Sequence, residues 1–167
     1  MAKSFDCTVE SSISIQQMHA VYCERDYWLA RLAPHSETVE LRSFDVDAGG
    51  TVRVTVVQNL RDVVLPPPFG KLYPRGLELV QNETWAVDRG DSMRGEFHVK
   101  AHGAPGSGRS TILIAPARDG ERLDCNATIK VKVPLVGGKL ESLFGRQIVE
   151  QIPETLRSVT EWLGERA

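Results

Sequence analysis

The sequence predicts a single α+β domain, residues 1–167, in which a curved antiparallel sheet of six to seven strands wraps around one long C-terminal helix. Three observations lead to this prediction. Short alternating segments separated by turn residues predict antiparallel strands. A long apolar stripe near the C-terminus predicts a helix that covers the sheet. A second, shorter helical pattern directly after the first alternating segment predicts two short helices after strand 1.

The first strand is predicted at residues 3–11, where apolar and polar side chains alternate as they do in a half-buried strand. Ser14 is followed three positions later by Gln17, which predicts a capping box at the start of a helix. The helical pattern then extends to Leu32. We expect it to break near residues 24–26, giving two short helices.

Strand-like segments follow at residues 37–46, 51–60, 77–87, 93–102, 110–116 and 123–133. Glycine, aspartate and proline between most of them supply the tight reversals that antiparallel strands require. The short spacings predict a meander and not β-α-β units. One connection, residues 61–76, is too long for a hairpin and contains three consecutive prolines. It is expected to form a short helical or irregular flap.

The C-terminal helix is predicted from Lys139 to Gly164 by apolar residues that recur every three to four positions. Burying each of them contributes ~1.5–3 kcal/mol, so together they outweigh the roughly 3 kcal/mol cost of Pro153 inside the helix. The apolar stripe requires an apolar surface to pack against, and the apolar face of the sheet, here called its dry face, is the surface large enough to cover it. A twisted sheet that grips a single helix leaves a pocket of ~300–1,000 Å³.

Composition and charge exclude several classes of function. Lysine and arginine number 20 against 22 acidic residues, without a long run of either charge, which argues against nucleic-acid binding. The first twelve residues contain no apolar run typical of a signal peptide or anchor, so a cytoplasmic location is expected.

Three widely spaced cysteines indicate reduced thiols. His98 and His102 would lie ~13 Å apart on a strand, so no metal site is expected, and no cofactor is predicted.

The segments SFDCTVE, RDYWLARL, NLRD followed by KLYP, QNETW, GAPGSGRS and VKVPLVGGKLES occur in this order along the chain. With these segments and this order of elements, the chain resembles the helix-grip fold of the START and birch-pollen-allergen superfamily (SRPBCC, polyketide cyclase-like). Within it, the chain resembles an actinobacterial family of uncharacterised proteins. The resemblance spans nearly the whole chain. It implies an apolar ligand between sheet and long helix, with entry near the flap between strands 3 and 4.

The segment GAPGSGRS, residues 103–110, nearly matches a phosphate-binding loop, with Arg109 in place of the lysine. Such a loop must open a helix, but the residues that follow, TILIAP, are β-branched and end in proline. A hairpin turn is therefore expected here.

The strand phase points Gln81 and Glu83 toward the sheet's dry face. A carboxylate in an apolar cavity has a raised pKa and serves as a general acid or base, or binds a ligand hydroxyl. The alternatives are a bulge that turns Glu83 outward, or an ion pair with Arg53 or Arg94. Glu83 is the one weak catalytic candidate.

A set of mostly apolar and bulky residues is predicted to surround the ligand, with ordinary core packing as the alternative for each. The set comprises Trp28, Val54, Val56, Phe69, Leu72, Tyr73, Leu79, Gln81, Glu83, Phe97, Ile129, Leu140, Phe144 and Ile148. Phe69 and Leu72, flanked by Lys71 and Arg75, also fit a transient contact with a membrane surface, without stable insertion.

The leading hypothesis is a carrier or sensor, not an enzyme, that binds a lipid, a polyketide-like compound or another apolar small molecule. The first alternative is an enzyme of the cyclase, dehydratase or isomerase kind, using Glu83 with help from Gln81 or Tyr73. The second alternative is an interaction module with a filled core. Whether the chain has a protein partner is left unknown by the sequence.

Overall fold

The computed structural model describes residues 2–59, 77–88, 91–103, 106–132 and 137–165. These residues form a seven-stranded antiparallel sheet, two short helices after the first strand and one long C-terminal helix, which confirms the predicted fold class. The strands are β1 Lys3–Ser11, β2 Val39–Val46, β3 Val52–Asn59, β4 Glu78–Asp88, β5 Ser92–His102, β6 Gly106–Ala117 and β7 Gly120–Val131. The helices are α1 Ile15–Tyr22, α2 Arg25–Leu32 and α3 Gly137–Glu165, with a one-turn 3-10 helix at Ala33–His35.

The strand order in the sheet is β1-β7-β6-β5-β4-β3-β2, and every neighbouring pair is antiparallel. Strands β2 to β7 form the predicted meander, whereas β1 lies at the far edge beside β7. Strands β5 and β6 pair as antiparallel neighbours, with Lys100 opposite Ser107, as a hairpin requires. The turn predicted at 103–110 is too long, because β6 already begins at Gly106. The predicted flap at 61–76 lies outside the described residues.

The capping box predicted at the start of α1 is confirmed. The backbone N–H of Gln17 donates to Ser14 Oγ at 3.1 Å, and the backbone N–H of Ser14 donates to Gln17 Oε1 at 3.1 Å. These two bonds satisfy donors that an uncapped helix leaves free. Helix α1 ends at Tyr22 and α2 begins at Arg25, close to the predicted break.

Helix α3 runs for 29 residues, with Pro153 inside it, as predicted. It packs against β1, β7 and α1. Gly145 permits this close packing, because a Cβ there would collide with the ring of Phe5 on β1. Within the ranges given above, no helix has the length and apolar character needed to cross a membrane.

Two groups of side chains fill the space between sheet and helices. The first, here called the aromatic cluster, consists of Tyr22, Tyr27, Trp28, Trp85, Phe97 and Trp162. The second, here called the α3 N-terminal cluster, consists of buried Leu77, Ile129, Val131 and Leu140 with half-buried Phe5, Leu79, Phe144 and Ile148. The first joins α1 and α2 to the end of α3, and the second joins the start of α3 to the sheet.

Candidate functional site

A cavity of about 60 Å³ lies between the sheet and the middle of α3. Its lining comes from α2, from strands β4 to β7, and from α3 between Ile148 and Thr155. This volume is well below the ~300–1,000 Å³ predicted from the sheet's curvature. It has room for a few water molecules or for one polar group of a larger ligand.

The aromatic cluster explains why so little space remains. Tyr22 packs on Trp85 with ring centroids 4.7 Å apart, and Trp85 meets Phe97 edge-on at 5.6 Å. Trp85 lies directly over Gly95 on the neighbouring strand, where a Cβ would approach the indole to 2.6 Å. These three rings, from α1, β4 and β5, thus occupy part of the concave face that curvature alone would leave empty.

The cavity persists beside the rings because β6 presents small residues there. Gly108 and Ser110 both line the cavity, in the same strand phase as Ile112. A Cβ at Gly108 would meet a single atom within 4 Å, the backbone oxygen of Thr128 at 3.8 Å. The opposite walls are apolar and include Phe97, Ile148 and Ile152. The result is a mostly apolar cavity with space at its β6 floor.

Arg31 of α2 brings a positive charge into this cavity. Its guanidinium carbon lies 5.4 Å from the centroid of the Trp28 ring, and its Nη2 donates to Thr155 Oγ1 at 3.1 Å. Its Nη1 is buried and has no hydrogen-bond partner. A buried donor without a partner costs about 1–3 kcal/mol, and more when it is charged. Arg31 is therefore the feature of the cavity that most requires an explanation.

Glu83 of β4 lies behind the cavity wall, 2% exposed. Trp85 Nε1 donates to its Oε1 at 2.6 Å, and Gln81 Nε2 donates to its Oε2 at 3.2 Å. Gln81 lines the cavity, but Glu83 does not. Both carboxyl oxygens are thus occupied by neighbours on the same strand, and Gln81 stands between Glu83 and the cavity.

The charges at this site influence each other. Burial raises the pKa of Glu83 more than Arg31, Trp85 and Gln81 lower it. Burial lowers the pKa of Arg31, but the charge of Glu83 and the interactions with the Tyr27 and Tyr22 hydroxyls, including a hydrogen bond to Tyr27, outweigh this effect, so the pKa is raised overall. Burial also raises the pKa of the Tyr22 and Tyr27 hydroxyls, which keeps both phenols neutral. Arg31 thus keeps its proton in a buried position.

Three of the predicted ligand-binding residues, Gln81, Phe97 and Ile148, meet at this cavity. Trp28, Val54 and Val56 belong to the core around the aromatic cluster. Leu79, Ile129, Leu140 and Phe144 belong to the α3 N-terminal cluster. Phe69, Leu72 and Tyr73, with the predicted membrane contact, lie outside the described residues.

Glu83 points inward, as the strand phase predicts, and neither arginine proposed as its partner reaches it. Arg53 pairs with Asp47 at 3.0 Å, and Arg94 pairs with Glu96 at 3.0 Å. Both of these arginines lie on the exposed face of the sheet. The positive charge that acts on Glu83 is that of Arg31, which was not among the expected partners.

Sequence reasoning missed Arg31, Ser110, Gln151 and Thr155 as residues of the site. A signal for Arg31 was present, because it follows Trp28 by three positions and Tyr27 by four, which places it on the same helix face. For the floor, Gly108 and Ser110 share the phase of Ile112, so small residues on an inward face indicated space. Across the described ranges, histidine, cysteine and acidic residues form no group of three that could hold a metal ion.

Comparison with known proteins supports the fold and leaves the chemistry open. Residues 6–163 match the family described as "Protein of unknown function (DUF2505)". The Mycobacterium tuberculosis protein Rv0481c, described as uncharacterized, is 31% identical over 170 residues, which cover 98% of both chains. These matches span almost the full length of the chain.

Several solved structures share the fold at low sequence identity. The di-domain ARO/CYC protein StfQ of the steffimycin biosynthetic pathway is 14% identical, with a TM-score of 0.63 over 99% of this chain and 51% of its own. Ara h 8.0201 is 10% identical with a TM-score of 0.54, covering 99% of both chains. The protein TTHA0849 from Thermus thermophilus is 17% identical with a TM-score of 0.54, covering 95% of both. These likenesses support the helix-grip fold.

Proposed function

We propose that this chain, which belongs to the family described as "Protein of unknown function (DUF2505)", binds a small, mostly apolar molecule between the sheet and α3, as a carrier or sensor. The observation that carries the proposal is the unfilled space between Gly108 of β6 and Ile148 and Ile152 of α3. Protein interiors are otherwise close-packed, so space lined by apolar groups is typical of a ligand site. The cytoplasmic location remains a prediction.

The size of the cavity limits how the ligand sits. A volume of about 60 Å³ encloses only part of a lipid or polyketide-like molecule. Ile148 lines the cavity and also belongs to the α3 N-terminal cluster, whose half-buried Phe5, Leu79 and Phe144 extend the apolar surface. The remainder of the ligand would therefore lie along this cluster, with the first half of α3 adjusting its packing to admit it.

The proposal is tested by a pair of variants on β6. Gly108→Val fills the cavity floor without meeting a backbone clash, because there is ordinary contact distance to Thr128 O. Ser107→Val adds the same side chain one position earlier, on the exposed face of the same strand. Both variants place a β-branched residue in a strand, so both are expected to fold.

Native mass spectrometry of freshly purified protein, followed by organic extraction, gives the readout. We expect the parent protein and Ser107→Val to release a stoichiometric small molecule, and Gly108→Val to release none. Equal amounts of the molecule on all three proteins would contradict binding at this cavity. Absence of any molecule, together with no uptake of fluorescent fatty-acid or polycyclic probes, would favour a filled-core interaction module instead.

An enzyme that uses Glu83 is the second candidate, favoured by the raised pKa of this buried carboxyl. A general acid or base must come within hydrogen-bond reach of its substrate, and Gln81 separates Glu83 from the cavity. The likeness to an ARO/CYC protein is a likeness of fold at 14% identity, so it does not decide the question.

Incubation of the extracted molecule with parent protein and with Glu83→Gln separates the two candidates. A carrier leaves the molecule unchanged with either protein. An enzyme of the second kind converts it with the parent protein and loses that conversion, but not binding, with Glu83→Gln.

A further inference from the structure

We infer that the ligand carries a carboxylate or an equivalent anionic oxygen, and that Arg31 binds this oxygen through Nη1 inside the cavity. This inference rests on the proposed function and adds the chemical class of the ligand. It follows from three features of Arg31: a donor without a partner, a charge without a contacting carboxylate, and a guanidinium held in a fixed orientation.

The first feature is the free donor. Nη1 of Arg31 is buried and makes no hydrogen bond, whereas Nη2 of the same guanidinium is bonded to Thr155 Oγ1 at 3.1 Å. Native proteins rarely leave a buried donor unpaired, and such a group is commonly completed by a ligand or a water molecule. Because Arg31 lines the cavity, the missing acceptor belongs there.

The second feature is a charge without a contacting carboxylate. Among the described residues, no carboxylate makes an ion pair with Arg31. Its Nη2 donates to the neutral hydroxyl of Thr155, and the guanidinium also has a hydrogen-bonding interaction with the neutral phenol of Tyr27. Glu83 acts on Arg31 only through space, because both of its oxygens accept bonds from neighbours on β4. A buried positive charge without a contacting anion is costly, and an anionic ligand removes that cost.

The third feature is the fixed orientation of the guanidinium. The ring of Trp28 lies 5.4 Å from its central carbon, and the Trp28 indole is itself held by a 2.9 Å bond from Nε1 to the backbone oxygen of Tyr22. A planar guanidinium that is stacked and anchored loses little entropy when it binds a carboxylate. Charge-assisted bonds of this kind are roughly twice as strong as those between neutral groups.

The rest of the cavity suits a ligand with one anionic end. Gln81, Ser110 and Gln151 supply neutral hydrogen-bonding groups in the same cavity as Arg31, and among the described residues no acidic side chain lines it. The other walls are mostly apolar. Arg109, an exposed residue of β6, also borders the cavity and adds a second positive charge there. A carboxylate at Arg31 with an apolar body directed past Ile148 therefore matches walls that are positively charged or neutral.

A pair of probes of nearly equal shape tests the inference. The probes are 3-phenylpropanoate and 3-phenylpropanamide, which differ in charge and not in size. Their dissociation constants are measured by NMR titration of the parent protein. We expect the carboxylate to bind about 10- to 100-fold more tightly than the amide, the range given by a hydrogen bond to a charged group.

Three substitutions make the result specific to Arg31. Arg31→Gln removes the charge and should reduce the preference for the carboxylate to about twofold or less. Arg31→Lys keeps the charge but not the planar fork, and should retain a smaller preference. Arg25→Gln makes the same change at an exposed position of the same helix and should leave the preference intact.

The outcomes distinguish this inference from the proposed function. Equal binding of both probes, or a preference that survives in a folded Arg31→Gln protein, overturns the inference and leaves the proposed function standing. Identification of a natural ligand that has no anionic oxygen would likewise overturn the inference and leave the proposed function standing. If neither probe binds and the purified protein releases no molecule, both fail.

Discussion

The two halves of α3, on either side of Pro153, are packed in different ways. The first half meets β1 and β7 through buried Leu140 and Gly145 and through half-buried Phe144 and Ile148. The second half meets α1 and α2 through the aromatic cluster, and Val159 in it is fully buried. The cavity lies where the two halves join. Most buried residues of α3 precede Pro153, so the two halves differ in what they contact: the first half packs closely on the sheet, and the second half is joined to α1 and α2.

Polar contacts show the same division. In the second half, Ser158 bonds the Tyr27 hydroxyl at 2.8 Å and Thr155 accepts from Arg31, so two side chains of α2 are anchored to α3. In the first half, buried Glu141 accepts from the backbone N–H of Val131 at 3.0 Å, which ties α3 to the end of β7. The second half is therefore fixed to the helices and the first half to the sheet edge.

The largest effect is expected when the aromatic cluster is opened. Trp85→Ala should lower the free energy of unfolding by about 3–5 kcal/mol, because it leaves a large void beside Tyr22 and Phe97. Val87→Ala, on the same strand but 39% exposed, is the control and should cost far less. Urea denaturation gives both values. Similar losses in the two variants would show that the rings do not close this end.

The next largest effect on stability is expected where the first half of α3 packs closely against β1. Gly145→Ala should lower the free energy of unfolding by about 1–3 kcal/mol, because the new methyl group displaces the ring of Phe5. Gly164→Ala, near the end of the same helix with open space around it, should instead be neutral or stabilise by up to about 1 kcal/mol.

Thermal and urea unfolding of these two variants, with the double variant Phe5→Leu/Gly145→Ala, provide the measurement. The smaller side chain at position 5 should restore part of the loss. A stabilised Gly145→Ala protein would mean that the first half of α3 is packed loosely enough to absorb the change.

A smaller effect is expected at the junction of the two halves. Thr155→Val removes the direct acceptor of Arg31 Nη2 and should lower the free energy of unfolding by about 0.5–1.5 kcal/mol. Thr160→Val is the matched control, since the Thr160 hydroxyl bonds to the backbone oxygen of Leu156 within the helix. Equal unfolding midpoints for the two variants in urea would show that Arg31 does not depend on Thr155.

The smallest effect expected is a change in the pH dependence of stability. Burial raises the pKa of Glu83, so between the ordinary glutamate pKa and the raised one the folded protein holds more protons than the unfolded chain. The stabilisation is fully present below the ordinary pKa and is lost as the pH rises through the raised pKa. Glu83→Gln should flatten this decline, whereas Glu161→Gln, at an exposed position of α3, should not.

Melting temperatures measured by circular dichroism from about pH 4 to about pH 8 test this expectation. Parallel curves for the parent protein and Glu83→Gln would contradict it. A decline that is steeper in Glu83→Gln would mean that the carboxyl is more acidic in the folded protein, contrary to the effect of burial.

The sequence predicted the elements well because each depends on local patterns. Alternation identified the strands, the Ser14–Gln17 pair identified the start of α1, and the apolar stripe predicted that α3 continues past Pro153. The volume of the cavity was overestimated, since it depends on how rings from α1, α2 and β4 fill one space, which no local pattern specifies. Arg31 was missed for the same reason, because its significance arises only when α2 lies against β4 and α3.

The placement of β1 beside β7 has a consequence for how the chain folds. Each residue of β1 from Lys3 to Ser11 finds its sheet partner more than a hundred positions later, between Glu121 and Ile129. Contacts so distant in sequence slow folding, because a long loop must close before they form. During synthesis, the apolar face of β1 stays uncovered until β7 and α3 have left the ribosome. An uncovered apolar strand makes the chain prone to aggregation in that interval.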